Sequence, residues 1–197
     1  MKKIFFIVFL LLNQSQNIFS QEFKLQETIN GLNSPWSLSF ISNDRVIATE
    51  KSGNLMLIDF NINEIKKIKH NLNILEDGQG GLLEVLYFKN QVFVSYSEDL
   101  KKGYSTTSVA KANFNENELN FQNIFRAEPP INSGYHFGSR LVIKDNLLYI
   151  TAGERGKGMI AQDPLKHPGS IIRVHLDGEI PKDNPKFIDK KDWLPEI

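Results

Sequence analysis

Leu82-Leu83-Glu84-Val85-Leu86-Tyr87-Phe88, Gln91-Val92-Phe93-Val94-Ser95-Tyr96, Thr107-Ser108-Val109-Ala110-Lys111-Ala112-Asn113-Phe114 and Leu119 to Phe125 follow one another as four short β-patterned runs. Runs of this length, rich in β-branched and aromatic residues, read as strands. The same order precedes them. Trp36-Ser37-Leu38-Ser39-Phe40-Ile41 alternates apolar and polar residues, Arg45-Val46-Ile47-Ala48-Thr49-Glu50 is β-branched, and Leu55 to Phe60 and the more charged Ile65 to Ile68 complete a set. Asn43-Asp44 and Ser52-Gly53 supply turns between them. A third set begins at Arg140-Leu141-Val142-Ile143, continues through Leu147-Leu148-Tyr149-Ile150-Thr151 and reaches Ile171 to Leu176, with no evident fourth strand.

Equivalent first strands start near Trp36, Leu83 and Arg140, 47 and 57 residues apart. Four-stranded units at this period predict an all-β fold, a β-propeller of four-stranded blades around a central channel. In such a fold the inner strand is expected to be the most buried and the fourth the most exposed. Helical periodicity sustained over three turns occurs nowhere after the leader. A single β-sandwich also shows many short strands, but it lacks this graded repeat. Propellers have roughly 4–8 blades, and the chain encodes about three. Three blades leave an open edge on both sides, so the expectation is a fragment, a partner chain completing the propeller, or final blades supplied from elsewhere.

The first 20 residues carry Lys2 and Lys3, an apolar run from Ile4 to Leu12, and a small residue, Ser20, before Gln21. That pattern is a secretory signal peptide, and the run is under half the roughly 20 apolar residues that span a bilayer. No cysteine follows it for a lipid anchor. The expected product is exported, periplasmic or secreted, with no membrane anchor after cleavage. Residues 21–197 hold 21 basic against 23 acidic residues, which gives no electrostatic case for nucleic acid or an anionic membrane. The absence of cysteine excludes disulfides, thiolate metal sites and a cysteine nucleophile.

Two glycine-flanked loops precede inner strands, Gly78-Gln79-Gly80-Gly81 and Ser133-Gly134-Tyr135-His136-Phe137-Gly138. Glycine admits positive φ and the close approach of a flat ligand. The 57 residues between Gln79 and His136 are compatible with neighbouring positions on adjacent blades. On residue type alone, a loop histidine beside glycine reads as a solvated or turn-satisfying residue before it reads as a base. Glu154 likewise reads as a solvated loop acid. Asp163, Asp177 and Asp183 do not match a calcium loop, and His167 and His175 lack metal-ligand spacing. Gly153 to Gly158 lacks the ending and helix of a phosphate loop. No metal ligand is therefore assigned.

An ordered set of segments changes that reading. Gly31-Leu32-Asn33-Ser34-Pro35-Trp36-Ser37-Leu38, Ala48-Thr49-Glu50-Lys51-Ser52-Gly53, Gly78-Gln79-Gly80-Gly81-Leu82-Leu83, His136-Phe137-Gly138-Ser139-Arg140-Leu141, Ala161-Gln162-Asp163 and Asp177 to Pro185 occur in one order. Together they resemble the glucose/sorbosone dehydrogenase family, and more closely its aldose sugar dehydrogenase branch, over essentially the whole mature chain. The resemblance implies a six-bladed propeller that oxidises a sugar hydroxyl with pyrroloquinoline quinone (PQQ) and calcium, passing electrons to an external acceptor. It implies that His136 is the general base, that Glu154 holds the imidazole and favours its charged form, and that Gln79 bonds the cofactor. Aspartate also occurs at the position of Glu154.

In the family, most cofactor and calcium ligands fall later, around a Gly-His-Arg-Asn segment. This sequence lacks that segment, and its closing Pro195-Glu196-Ile197 resembles the approach to it. The expectation is the N-terminal half of a propeller sugar dehydrogenase domain, inactive alone. The competing expectation is a non-catalytic secreted propeller piece that binds a carbohydrate or protein partner. A calcium-centred propeller hydrolase finds no convergent acidic set.

Overall fold

The computed structural model describes residues 23–185. The expected signal peptide, its expected cleavage point and the Pro195-Glu196-Ile197 segment lie outside them. The first set of strands is β1 (Pro35–Phe40), β2 (Arg45–Glu50), β3 (Leu55–Asp59) and β4 (Glu64–His70). The second is β5 (Leu82–Phe88), β6 (Gln91–Asp99), β7 (Ser105–Asn113), β8 (Glu118–Leu119) and β9 (Gln122–Arg126). The third is β10 (Gly138–Lys144), β11 (Leu147–Ala152) and, after one 3-10 turn at Gly158–Gln162, β12 (Ile171–His175).

These strands form three sheets that pack in chain order, an all-β arrangement consistent with part of a propeller. Within each sheet consecutive strands pair antiparallel. The expected blade of four is corrected at the Leu119–Phe125 run, while the third set, read without an evident fourth strand, agrees with its sheet. The Leu119–Phe125 run is two strands, because β8 pairs parallel with β4 and makes the first sheet five-stranded, while β9 completes the second. Among the described residues the third sheet has three strands.

Period-two alternation builds the two cores between sheets, and Val46, Ala48 and Ile58 form a third, smaller cluster with Ile29 and Leu32. Val92, Val94 and Tyr96 of β6 face the first sheet and pack with Ile47, Leu55, Leu57 and Ile68. Phe93, between them in sequence, faces the third sheet with Val109 and Phe125, against Leu141, Leu148, Ile150, Ile172 and Val174. Each fully buried aliphatic or aromatic side chain stabilises the fold by about 1.5–3 kcal/mol. The expected burial order does not hold. The second and third strands are the most enclosed, whereas β1 exposes Leu38 at 56% and Phe40 at 58%. The reason is that, among the described residues, no sheet lies against the outward faces of the first and third sheets, so β1 and β10 are covered on one face only.

A repeated hydroxyl device joins the sheets. Thr49 Oγ1 accepts the Ser37 amide at 3.1 Å and donates to the Leu83 carbonyl at 2.6 Å. Ser95 Oγ accepts the Glu84 amide at 3.0 Å and donates to the Ser139 carbonyl at 2.6 Å. Thr151 Oγ1 repeats the first half, accepting the Arg140 amide at 2.9 Å. All three amides lie where strand pairing shifts register at the start of β1, β5 and β10. The hydroxyl satisfies a donor that the bulge leaves outside the ladder, and it pins the loop end of the next first strand.

A buried ionic cluster lies at the C-terminal end of β6. Glu98 receives Arg126 Nε at 2.6 Å and Nη2 at 2.5 Å, Ser108 Oγ at 2.6 Å and the Asn123 amide at 3.2 Å. Burial pushes the Glu98 carboxyl up, but the bonds from Arg126 and Ser108 outweigh it and hold it below the ordinary value. Burial, with the Glu98 charge, pushes the Tyr96 hydroxyl up to about 12. Arg126→Met is expected to cost about 3 kcal/mol, the low end for breaking a buried pair, because the Arg126 side chain is 37% exposed. The denaturant midpoint reads this loss, and an unchanged midpoint contradicts it.

Candidate active site

The loops that lead into β5 and β10 press backbone to backbone. The Gln79 amide donates to the Gly134 carbonyl at 2.7 Å, and the Gly80 amide closes a turn on the Asp77 carbonyl at 2.7 Å. Lys51 Nζ donates to the Gly78 carbonyl at 2.5 Å. Gly78 has φ +55°, and a Cβ there would overlap the Gly134 carbonyl oxygen and stand 3.0 Å from Gly134 Cα, so only glycine fits. The Gln79 side chain then reaches across: its Oε1 accepts the His136 amide at 2.8 Å. Its amide NH2 remains to donate toward a ligand.

His136 sits at φ +49°, a left-handed conformation uncommon outside glycine. Its side chain is 52% exposed, and Nδ1 bonds Glu154 Oε1. The same oxygen accepts the Gly156 amide at 3.2 Å. The hydrogen bond from His136 holds the Glu154 carboxyl below its ordinary value, so Glu154 is an anion that only accepts. A carboxylate on Nδ1 assigns the proton of the neutral ring to that nitrogen and leaves the lone pair on Nε2. Gly153 lets the two segments meet, since a Cβ on it would overlap the His136 carbonyl oxygen and stand 3.0 Å from Gly138 N. The three residues singled out by the sequence, Gln79, His136 and Glu154, are thus joined directly.

Two neighbours carried no sequence signal. Arg155 is 2% exposed and turns its guanidinium beneath the His136 loop, over the Phe137 ring at 3.6 Å. Glu84 accepts Ser37 Oγ at 2.9 Å and Arg140 Nη1 at 2.5 Å, linking the first strands of all three sheets. No residue pattern in the sequence marks either contact, because the partners lie 18 to 56 positions away.

The remaining candidates have structural employment. His167 is buried with Nδ1 accepting the Glu128 amide at 2.8 Å, and burial lowers its pKa. His175 ends β12 in solvent. Asp163 accepts the Leu165 amide at 3.0 Å, Asp177 accepts the Glu179 amide at 3.0 Å, and Asp183 pairs with Arg173 at 2.9 Å. Among the described residues no three His, Cys, Asp or Glu side chains gather as a metal site.

A sequence model of the family described as Glucose / Sorbosone dehydrogenase matches residues 32–197. The chain belongs to the glucose/sorbosone dehydrogenase family. It is 31% identical over 176 residues to the aldose sugar dehydrogenase YliI of Escherichia coli K12, covering 84% of this chain and 47% of that protein. It is 26% identical to the quinoprotein glucose dehydrogenase B of Acinetobacter calcoaceticus, covering 85% of this chain and 42% of that one. The crystal structure of the soluble aldose sugar dehydrogenase from Escherichia coli in its apo form superposes with a TM-score of 0.78 at 30% identity, over 84% of this chain and 50% of that one. The chain spans about half the length of the curated relatives it matches. Within the family region, both loops and the Glu154 segment fall inside the matched residues.

Proposed function

We propose that the protein is a PQQ-dependent dehydrogenase of aldose sugars, with residues 21–197 forming the N-terminal half of a six-bladed, four-stranded propeller domain. The observation that carries this is the linked set of Gln79, His136 and Glu154 at the loop ends of β5 and β10 in a glucose/sorbosone dehydrogenase family member. One relative is a quinoprotein by name and another an aldose sugar dehydrogenase. Further blades, or a partner chain, would pack on the uncovered faces that hold Leu38 and Phe40 on one side and Val142 and Ile171 on the other.

PQQ is flat, with an amide-bonding edge and three carboxylates, and the residues present fit one end of it. Gln79 uses its Oε1 on the His136 amide and keeps its NH2 for a ligand, and His136 Nε2 stands on the adjoining loop. Gln79 would hold the cofactor and Lys51 would supply a nearby positive charge. When bound, PQQ would supply the hydride acceptor for the sugar carbon that bears the hydroxyl, with an external electron acceptor to regenerate it. His136 Nε2 takes the hydroxyl proton, which an imidazole does well near neutral pH. The Glu154 carboxylate orients the ring. Calcium enters through the family resemblance and is assigned to none of the described residues. The leader at residues 1–20 supports export to the periplasm or beyond.

Dye reduction by the protein carrying the other half of the propeller, with PQQ, calcium and aldoses, tests this reading, and residues 21–197 alone are expected to be inactive. Turnover that requires PQQ supports it. Sugar binding that ignores PQQ and is unchanged in His136→Ala supports a carbohydrate-binding module instead.

Glu154 gives the reading a pH signature. Its carboxyl is held below the ordinary value by the His136 bond. The stabilisation is therefore complete above the unfolded value of about 4.3 and is lost as pH falls through the lower folded value. Glu154→Gln keeps an oxygen for Nδ1 but loses the charge. The melting-temperature advantage of the wild type over Glu154→Gln should shrink as pH falls below about 4. An advantage that is flat across that window contradicts the assignment.

A further inference from the structure

We propose that Arg155 is the positioning residue of the base loop, holding both His136 and its carboxylate partner in register. The inference rests on the reading of His136 as the base, and its first test is independent of that reading.

Arg155 meets the loop at nearly every step. Nη2 donates to the Ser133 carbonyl, Nε to the Tyr135 carbonyl at 3.0 Å, the backbone amide to the His136 carbonyl at 3.3 Å, and the guanidinium lies over Phe137. The residue passed over, Gly134, has its carbonyl taken by Gln79. The far side of the fork is anchored on β7, with Nη1 on the Ser105 carbonyl and Nη2 on Ser105 Oγ, both at 2.9 Å. One side chain therefore ties a rigid strand to the loop, while its own backbone follows Glu154 directly. Moving Arg155 moves both ends of the Nδ1 bond.

Ion pairing does not explain this arginine. Among the described residues no carboxylate stands within ion-pair distance of it. Burial lowers its pKa to about 10, against the opposing pull of Asp77, so it remains a cation at neutral pH. A buried charge without a contacting anion is costly and persists only when its hydrogen bonds are made. Here the planar fork supplies donors in the directions of three carbonyls and a hydroxyl, a set that an ammonium cannot reproduce. His136 needs such restraint, because a left-handed non-glycine backbone persists only where its surroundings over-determine it.

The test is nitrogen NMR of histidine-labelled protein, comparing wild type with Arg155→Ala and Arg155→Lys. Wild type should hold His136 as the Nδ1–H tautomer, with a slowly exchanging Nδ1 proton. Both variants should lose that signal while the amide spectrum of the strands is retained, and millimolar guanidinium should restore it in Arg155→Ala. Arg155→Lys keeps charge and bulk and carries the test if the alanine variant does not fold. In the turnover assay either variant should lower kcat about 100-fold with little change in KM, the effect of misplacing a reacting group by about 1 Å. An unchanged Nδ1 signal in a folded variant overturns the proposal. Loss of the signal with unchanged kcat leaves Arg155 as the positioning residue and removes His136 from the role of base.

Discussion

His136→Ala is expected to lower PQQ-dependent aldose oxidation by about 10²–10⁴-fold, the range for removing a general base, with the fold intact. The ring is half exposed and its polar contact is the bond from Nδ1 to Glu154, so its loss opens no core cavity. The backbone amide that Gln79 accepts is kept in the variant. The defect should therefore fall on kcat, with PQQ affinity changed little. A histidine that merely satisfies a solvated turn would give a kcat within about twofold of wild type, far outside the expected range. Steady-state kinetics at saturating aldose, alongside a melting curve, separate the two.

Gly153→Ala should be nearly as damaging without touching a functional side chain. The added Cβ would overlap the His136 carbonyl oxygen and stand 2.5 Å from its carbon. Both are backbone atoms, so no rotamer change relieves the clash, and the segments must part by about 1 Å. Displacement on that scale costs about 100-fold in rate, and overpacking of this kind costs about 1–3 kcal/mol of stability. The expected result is a kcat loss together with a lower melting temperature. A variant with both at wild-type values would mean that the close approach of residues 136 and 153 is not needed.

Much of the architecture was legible in the chain because its strands obey period two. The bounds read for β2 and β5 coincide with the structure, and the loops carrying Gln79 and His136 do lead into first strands. The Leu119–Phe125 run misled for a reason outside itself. Leu119 and Phe121 pack in the core between the first and second sheets, whereas Ile124 and Phe125 pack in the core between the second and third. The chain crosses from one interface to the other at that point. Asn71, 50 residues away, takes both the amide and the carbonyl of Phe121, at 2.8 and 3.1 Å. No local pattern encodes that capture.

The site was legible only in part. Gln79, His136 and Glu154 were drawn together by an ordered set of segments, and none would have been chosen on residue type. Thr49, Ser95 and Thr151 looked like ordinary polar positions in apolar strands, because their value lies in amides displaced by bulges in the neighbouring strand. Arg155 stood out only as part of Gly153 to Gly158, a segment rejected as a phosphate loop. Its burial follows from Ser105 and Phe137, which arrive from β7 and from the base loop and complete the pocket around it.

The most direct test of the central claim is single-turnover reduction of bound PQQ, followed by its visible absorption after mixing with an aldose. With the other half of the propeller present, the account predicts rapid loss of the quinone spectrum in the wild type. His136→Ala should bind PQQ with the same spectral change and then fail to reduce it on that timescale. Reduction by His136→Ala at the wild-type rate would contradict the account.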